Sequence, residues 1–290
     1  MAAPGDLDGD GQPDLVVGDE RSGVAGTGSG EVVLFWGPLS GYLTSADIGA
    51  SIRGLEPYDH LGQSLSGVAD ADGDGMPDLW IGADDLSAIG CNGGAVLFLG
   101  PITGGMSAAD ADLVLCGGLT ATPGYGVADA GDIDGDGLDD LLAGDPTHGN
   151  GAAWLLLDAR KSFVGPSSAD AIFDGTAGSA GTGYAQAGPG DMDGDGYGEV
   201  AIGAYRGSNG YTTPGATYVV HGPITGTLAL EDADLTVTGE VDENYAGFSL
   251  SAAGDVDADG LPDLLIGAPK NGSKARNGGA VYLIRGGQAW

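Results

Sequence analysis

Positive charge is scarce in this chain of 290 residues, which has 9 lysine and arginine residues against 42 aspartate and glutamate residues. The formal net charge of −33 disfavours binding to nucleic acid or to an anionic membrane surface, because both are negatively charged. A cation is the partner that such a charge favours.

Long apolar runs are missing as well. No run reaches the roughly 18 residues that a membrane-spanning helix needs, and residues 1–14 lack the basic and apolar parts of a signal peptide. The sequence therefore predicts no membrane span and no signal peptide within this chain. A leader can be removed from a mature protein, so this does not indicate the cytosol.

Cysteine is nearly absent, since Cys91 and Cys116 are the only two. They flank two apolar runs whose spacing suits an antiparallel hairpin around Gly105. One interpretation is a disulfide, which requires an oxidising compartment. The other is a pair of buried thiols.

Glycine and short apolar segments are abundant. The 59 glycines, 14 prolines and 42% hydrophobic residues are typical of many short strands joined by tight turns. An all-β fold is predicted, and a helical bundle is disfavoured.

A nine-residue acidic motif occurs five times at intervals of 59 to 64 residues. The copies are DLDGDGQPD at 6–14, DADGDGMPD at 70–78, DIDGDGLDD at 132–140, DMDGDGYGE at 191–199 and DVDADGLPD at 255–263. Each is followed by a short apolar segment ending in glycine, such as LWIG or LLIG, and by further strand-like segments. Four strands per period predict a β-propeller of about five four-stranded blades, with 1–290 as one domain.

The terminal repeats are predicted to be incomplete. The first has no recognisable strand before its acidic loop and the last has none after AVYLIRG, which gives 18 strands in all. Two alternatives follow: a closed five-bladed monomer whose residues 15–18 and 279–286 meet, or a part of a longer propeller. The first is favoured, because five near-equal periods suit a tight ring.

The acidic loop has the chemistry of a calcium site. Carboxylates at loop positions 1, 3, 5 and 9 are hard oxygen donors that can converge on one ion, and glycine at position 6 permits the turn. The predicted side-chain ligands are Asp6, Asp8, Asp10, Asp14, Asp70, Asp72, Asp74, Asp78, Asp132, Asp134, Asp136, Asp140, Asp191, Asp193, Asp195, Glu199, Asp255, Asp257, Asp259 and Asp263. Position 7 is chemically variable and is predicted to bind through its carbonyl: Gln12, Met76, Leu138, Tyr197 and Leu261.

Other interpretations of the loop are weaker. An EF-hand needs a glutamate at position 12 and two flanking helices, whereas position 12 here is Val17, Ile81, Ala143, Ile202 or Ile266. Magnesium requires stricter octahedral geometry and retains water. Simple polar turns do not explain five copies in register. We therefore expect about five calcium ions with a structural role.

The motif D-x-D-x-D-G-x-x-D/E followed by a strand and Gly-Ala-Pro, as in LLIGAP at 264–269, resembles the FG-GAP repeat of integrin α-subunit propellers. Leu61-Gly62 and Gly247-Phe248 match the FG element, and Gly267-Ala268-Pro269 matches GAP. The resemblance implies a propeller that presents a rigid face in adhesion or extracellular recognition. The composition, rich in alanine, aspartate and glycine, favours a bacterial source.

Three functions remain open at this point. The first is a non-enzymatic, extracellular, calcium-stabilised module that binds an unknown protein or glycan. The second is a lyase or hydrolase, although His60, His148 and His221 lie in three different contexts and no catalytic motif occurs. The third is a lectin with aromatic platforms, although Trp36, Trp80 and Trp154 lie in apolar strands and only Trp290 does not.

Overall fold

A computed structural model describes residues 1–83, 85–118, 121–159, 165–175, 181–206, 214–241, 243–272 and 278–288. The chain forms two compact units, Met1–Asp129 with Asp158–Ser168, and Ala130–Leu157 with Ala169–Trp290. No helix in these described ranges is long and apolar enough to cross a membrane. Trp290 lies outside the described residues.

The structure confirms the all-β prediction, with five sheets that follow the five repeats. The first repeat contributes β1 (Ala2–Gly5), β2 (Asp14–Asp19), β3 (Glu31–Phe35) and β4 (Ala50–Arg53). The second contributes β5 (Ser64–Val68), β6 (Asp78–Ala83), β7 (Gly94–Phe98), β8 (Met106–Ser107) and β9 (Leu113–Cys116). The third contributes β10 (Gly126–Gly131), β11 (Asp140–Asp145), β12 (Ala152–Leu156) and β13 (Ala171–Asp174).

The fourth repeat contributes β14 (Thr182–Gly190), β15 (Glu199–Ala204), β16 (Ala216–His221), β17 (Gly226–Ala229) and β18 (Leu235–Thr238). The fifth contributes β19 (Ser249–Gly254), β20 (Asp263–Ala268) and β21 (Ala280–Ile284). Short 3-10 turns are Ser45–Asp47, Ser87–Ile89, Ala108–Asp110, Pro166–Ser168 and Leu230–Asp232. This repetition is consistent with a β-propeller, while closure into a ring and the single-domain boundary stay predictions.

The predicted strand count is wrong at the beginning of the chain. Strand β1 pairs antiparallel with β2, so the first repeat has four strands of its own. Its sequence, AAPG, carries no apolar alternation, which is why the pattern missed it. In the described part of the chain the last sheet has three strands, as predicted.

Two short strands were also missed, and both join neighbouring repeats. β8 of the second repeat pairs in parallel with β4 of the first, and β17 of the fourth pairs in parallel with β13 of the third. Each adds a strand to the outer edge of the preceding sheet. Backbone pairing supplies this contact, so the side-chain pattern does not reveal it.

Strands β6, β7, β11, β12 and β15 are buried at every position, as their continuous apolar sequences predict. Val16, Val32 and Ile81 belong to the core of the first unit, and Val219 and Ile266 to that of the second. Trp80 and Trp154 are buried, and Trp36 packs against the core directly after β3. The prediction that these tryptophans are core residues is therefore confirmed for Trp80 and Trp154, whereas Trp36 is partly buried at the edge of the core.

Cys91 and Cys116 form a disulfide, with their Cα atoms 4.9 Å apart. Cys116 ends β9 and lies opposite Gly94 of β7, so the bridge joins β9 to the turn before β7. The structure thus selects the first of the two interpretations that the sequence left open.

Close glycine contacts join successive sheets within each unit. A methyl group on Gly203 of β15 would lie 2.1 Å from the carbonyl oxygen of Gly247, at the start of the next repeat. Such a distance leaves no room for a side chain. The glycines that follow the apolar segments are therefore required for sheet-to-sheet packing.

We predict that Gly203→Ala lowers the free energy of unfolding by about 1–3 kcal/mol, the usual cost of overpacking. Gly118→Ala is the matched control, because a methyl group there would have no neighbour within 4 Å among the described residues, and it should change stability by less than about 0.5 kcal/mol. Urea unfolding measures both values. Equal effects of the two substitutions would contradict the packing role of Gly203.

Candidate metal centres

The five acidic loops occupy equivalent places in the fold. Each loop joins the first strand of its repeat to the second, and its ninth residue is the first residue of that second strand. These ninth residues are Asp14, Asp78, Asp140, Glu199 and Asp263. The loop is therefore anchored to a buried strand at one end.

The carboxylate at loop position 1 organises the turn. In the first loop, Oδ1 of Asp6 accepts hydrogen bonds from the backbone N–H groups of Gly9 at 2.8 Å and Asp10 at 3.0 Å. Its Oδ2 accepts one from Gly11 at 2.7 Å. Asp132 and Asp191 make the same three contacts in their loops. One carboxylate thus fixes a turn of five residues through hydrogen bonds from their backbone N–H groups.

The backbone at loop position 6 is left-handed, for example at Gly11, where φ is +89°. This confirms the prediction that the position needs glycine. Position 4 is also left-handed, with glycine in four loops and Ala258 (φ +62°) in the fifth. We missed this second requirement, although the repeated letters DGDG show it. Two left-handed residues in one loop make it curl tightly.

The carboxylates at positions 3 and 5 each use one oxygen locally. Asp8 Oδ1 accepts from the N–H of Asp10 at 3.1 Å, and Asp10 Oδ1 accepts from that of Gln12 at 2.8 Å. In every loop, three carboxylates offer oxygens that all lie within 4.8 Å of one another. These groups are Asp6, Asp8, Asp10; Asp70, Asp72, Asp78; Asp132, Asp134, Asp136; Asp191, Asp193, Glu199; and Asp255, Asp257, Asp259. The structure therefore brings predicted ligands together in all five loops.

The carboxylate at position 9 also holds the loop to the sheet. Asp14 Oδ2 accepts from the N–H of Leu7 at 2.7 Å, and its Oδ1 accepts from that of Gly37, after β3, at 2.9 Å. Asp78 and Asp263 bond in the same way to the second residue of their loops and to Gly100 and Gly286. The sequence predicted position 9 only as a metal ligand and missed this bracing.

The third and fourth loops differ, because one oxygen of each position-9 carboxylate stays unsatisfied. Asp140 Oδ1 and Glu199 Oε1 are buried and have no hydrogen-bond partner among the described residues. The other oxygen of Asp140 accepts from Ile133, and that of Glu199 accepts a short bond from Met192. A buried, unpartnered carboxylate oxygen is costly unless a positive charge approaches it.

Burial is the main cause of unusual pKa values in these loops, and neighbouring carboxylates add to it. Burial and the charges of the other loop aspartates raise the pKa of Asp140 to about 8. The same causes raise the pKa of Glu199 to about 7, and that of Asp78 to about 6 despite two backbone hydrogen bonds. Hard oxygen donors, mutual repulsion and unsatisfied buried oxygens together fit a divalent cation.

Position 7 has a role that we did not predict. The side chain of Met76 lies 3.4 Å from where a methyl group on Gly9 would be, so it packs on the acidic loop of the preceding repeat. Tyr197 lies in the same way over Gly135, and Leu261 over Gly194. The residue type varies, but the side chain is bulky each time. The carbonyl ligand role of Gln12, Met76, Leu138, Tyr197 and Leu261 stays a prediction.

Two basic side chains approach position 3 of the last two loops. His221 Nδ1 lies 3.1 Å from Asp193 Oδ2, and an Arg285 nitrogen lies 3.3 Å from Asp257 Oδ2. His221 is the last residue of β16 and Arg285 directly follows β21, and each precedes a glycine. The sequence pattern predicts only an ordinary surface or packing histidine at position 221 and gives no signal for Arg285.

The raised pKa values predict how stability depends on pH when divalent ions are chelated. Folding favours the protonated forms of Asp140, Glu199 and Asp78, because their pKa values are raised in the folded state. Their contribution to stability is therefore present near pH 4 and is lost as pH rises through about 6 to 8. The melting temperature in chelator should therefore fall between pH 5 and pH 8, as measured by circular dichroism.

The matched variants are Asp140→Asn and the exposed Asp232→Asn. Asp140→Asn should flatten this pH dependence, because an amide cannot ionise, and Asp232→Asn should leave it unchanged. A melting temperature in chelator that is constant or rises over this range would contradict the electrostatic account of the loops.

Comparison with known proteins gives one consistent result. The FG-GAP repeat family matches residues 2–35 and 246–284. Integrin alpha pat-2 of Caenorhabditis elegans is 30% identical over 249 residues, 77% of this chain and 19% of that protein. Integrin alpha-PS2 of Drosophila melanogaster is 35% identical over 160 residues, 50% of this chain and 11% of that protein. Human integrin alpha-7 is 32% identical over 145 residues, 50% of this chain and 12% of that protein. The chain is therefore an integrin-alpha-like FG-GAP repeat protein.

Proposed function

We propose that this protein is a non-enzymatic, extracellular binding module for adhesion, whose sheets are stabilised by about five calcium ions. The observation that carries the proposal is the recurrence of one carboxylate cluster at the same place in all five sheets of an integrin-like chain. A device repeated in every sheet serves the fold that all the sheets share, and a catalytic centre would need only one.

Calcium is the cation that the donor set favours. Each cluster offers carboxylate oxygens alone, on a loop that curls through two left-handed residues. Calcium accepts six to eight oxygen ligands in flexible geometry, whereas magnesium needs a strict octahedron. Bound calcium would supply positive charge that offsets the repulsion between the loop carboxylates.

The protein's own residues make the loop ready for an ion. The position-1 carboxylates fold the loop backbone, and the position-9 carboxylates brace it against the second strand and the end of the third. Because position-7 side chains such as Met76 and Leu261 pack on the loop of the preceding repeat, order in one loop favours order in the next. Ordered loops within each unit would give a rigid surface for recognition.

Extracellular action is proposed from the disulfide and the relatives. The Cys91–Cys116 bridge fits an oxidising compartment. The relatives are integrin alpha chains, but the aligned region covers only 11% and 19% of two of them. Trp80 and Trp154 are buried and do not form sugar platforms, which removes two candidates from the lectin interpretation.

Calcium binding is predicted to be multiple and strongly stabilising. Titration calorimetry should give about five ions per chain, and calcium should raise the melting temperature well above its value in chelator, because an ion that binds only the folded state stabilises it. Magnesium at the same concentration should have a smaller effect.

Asp132→Asn is the informative variant and the exposed Asp232→Asn is its control. The first should remove about one ion and reduce the stabilisation by calcium, and the second should do neither. If the melting temperature is the same in millimolar calcium and in excess chelator, the proposed structural role is wrong.

Adhesion is predicted to require a protein on the opposing surface. Beads coated with the native chain should adhere to cells in calcium and detach in chelator, and protease treatment of the cells should abolish adhesion. Loss after glycosidase treatment alone would instead favour the lectin interpretation. Adhesion that is insensitive to chelator would contradict the calcium-stabilised module.

A further inference from the structure

Two buried polar side chains, Asp59 and Asn244, occupy the same place in two segments of like conformation. Residues 54–62 lie between β4 and β5, and residues 239–241 and 243–247 lie between β18 and β19. Each side chain stands three residues before a left-handed glycine, and the exposed fraction is 1% for Asp59 and 0% for Asn244. The two segments therefore differ by an ionisable group at an equivalent buried position.

The backbone on either side of these two side chains is left-handed in both segments. Tyr58 and His60 have φ of +74° and +50°, and Glu243 and Tyr245 have φ of +63° and +59°. Such backbone is costly for residues other than glycine, so contacts within each segment must offset the cost. The hydrogen bonds of the two buried side chains are contacts of this kind.

The side-chain amide of Asn244 uses both of its ends. Its oxygen accepts hydrogen bonds from the N–H groups of Glu240 and Val241, each at 3.2 Å, and from Asn271 Nδ2 at 3.2 Å. Its nitrogen donates to the Val241 carbonyl at 3.3 Å. In this orientation of the amide, each of these bonds pairs one donor with one acceptor. One end of the side chain accepts and the other end donates.

The carboxyl group of Asp59 has the accepting end of this arrangement but no evident donor. Its Oδ2 accepts from the N–H groups of Leu55 and Glu56 at 2.7 and 2.9 Å, again the residues four and three positions before it. Its Oδ1 therefore takes the place of the Asn244 nitrogen, and it is buried with no hydrogen-bond partner among the described residues. An ionised carboxylate can only accept, whereas a protonated one also donates. A proton on Oδ1 would give Asp59 the donor that Asn244 has.

The surroundings of Asp59 disfavour its charged form. Burial raises the pKa of Asp59, and the charges of Asp85 and Glu56 raise it further, while the backbone hydrogen bonds from Glu56 and Leu55 lower it. The un-ionised side chain avoids both the burial of a charge and repulsion by two carboxylates.

Asp59 is approached from its own segment, from the residues between β2 and β3, and from the residues after β6. Its neighbour His60 lies against the β2–β3 residues, where a methyl group on Gly28 would be 3.1 Å from His60 Nε2. Those residues present the carbonyl oxygens of 27–29 to the segment as hydrogen-bond acceptors. Asp85 follows β6, and its N–H donates to the backbone carbonyl of Asp59 at 3.3 Å. The charged groups that face Asp59 are thus acidic.

We propose that residues 54–62 form a pH-sensitive switch, which is closed when Asp59 carries a proton and loosened when that proton is lost to water. In the closed state, the proton on Oδ1 donates to the carbonyl of Glu56, as the amide of Asn244 donates to the carbonyl of Val241. In the ionised state, a buried negative charge faces that carbonyl oxygen and has no donor at Oδ1, so the segment must open to hydrate it.

The switch acts on the junction between the first and second sheets, which both belong to the first unit. Leu61 forms a parallel bridge with Gly30, and its N–H donates to the Ser29 carbonyl at 3.3 Å. Because the pKa of Asp59 is raised by folding, its contribution to this junction is present near pH 4 and is lost as pH rises through the folded-state value. The two sheets are therefore joined more firmly in acid than at neutral pH.

Hydrogen–deuterium exchange of the native chain tests the switch. The protection of residues 54–62, expressed relative to the intrinsic exchange rate at each pH, should fall between pH 4.5 and pH 7.5. The fall should be up to about tenfold for each pH unit between the ordinary and the raised pKa of Asp59. Asp59→Asn should keep the protection high over the whole range, because an amide donates at every pH and cannot ionise. The acidic loops are the same in both chains, so their own pH dependence cancels in this comparison.

Two further variants separate the switch from general effects of charge. Asn244→Asp should make the protection of residues 243–247 depend on pH in the same direction. Asp232→Asn removes one exposed carboxylate and should leave the pH dependence of residues 54–62 unchanged. Circular dichroism at pH 5 verifies that each variant is folded.

Three results would overturn the proposal. They are an equal fall in protection for the native chain and Asp59→Asn, a lower protection of Asp59→Asn than of the native chain at pH 4.5, and no effect of pH on residues 243–247 of Asn244→Asp. The second would show that the amide does not replace a protonated carboxyl group at this position.

Discussion

Repulsion between carboxylates held within a few ångströms of one another is the constraint on which this structure depends. Each loop places one oxygen from each of three carboxylates within 4.8 Å of the others, at positions 1, 3 and 5 in three loops and at positions 1, 3 and 9 in the other two. In the third loop, burial and this crowding raise the pKa of Asp140 to about 8. Backbone N–H groups donate hydrogen bonds to several of the carboxylate oxygens. One buried oxygen of Asp140 and one of Glu199 have no such partner among the described residues. A divalent cation is the simplest complement to such a site.

Two kinds of contact connect successive repeats of this chain. Near the acidic loops, a bulky position-7 side chain such as Tyr197 covers a glycine of the preceding loop. Further along the strands, a segment such as Ala246-Gly247 lies in a glycine-lined slot of the preceding sheet. Both contacts connect neighbouring repeats, as is usual in repeat proteins, so within each unit a sheet is stabilised by the one that follows it.

Much of this could be predicted from the sequence, because the period and the loop motif are local signals. Five acidic loops, the glycine at position 6 and a strand after each loop all appear in the structure as expected, and three of these strands, β6, β11 and β15, are buried at every position. Strand β1 was missed because AAPG has no apolar alternation, and β8 and β17 were missed because they pair through the backbone with another repeat. The bracing role of Asp14 and the packing role of Met76 involve partners distant in sequence. A one-dimensional pattern does not contain that information.

The most direct test of the central claim is a crystal structure of the protein grown in calcium, with anomalous scattering used to locate the ions. The account predicts five anomalous peaks, one in each acidic loop, coordinated by carboxylates of loop positions 1, 3 and 5 or 9. It also predicts that the unsatisfied oxygens of Asp140 and Glu199 face the ions of their loops. Loops without peaks, or ions bound by other residues, would contradict it.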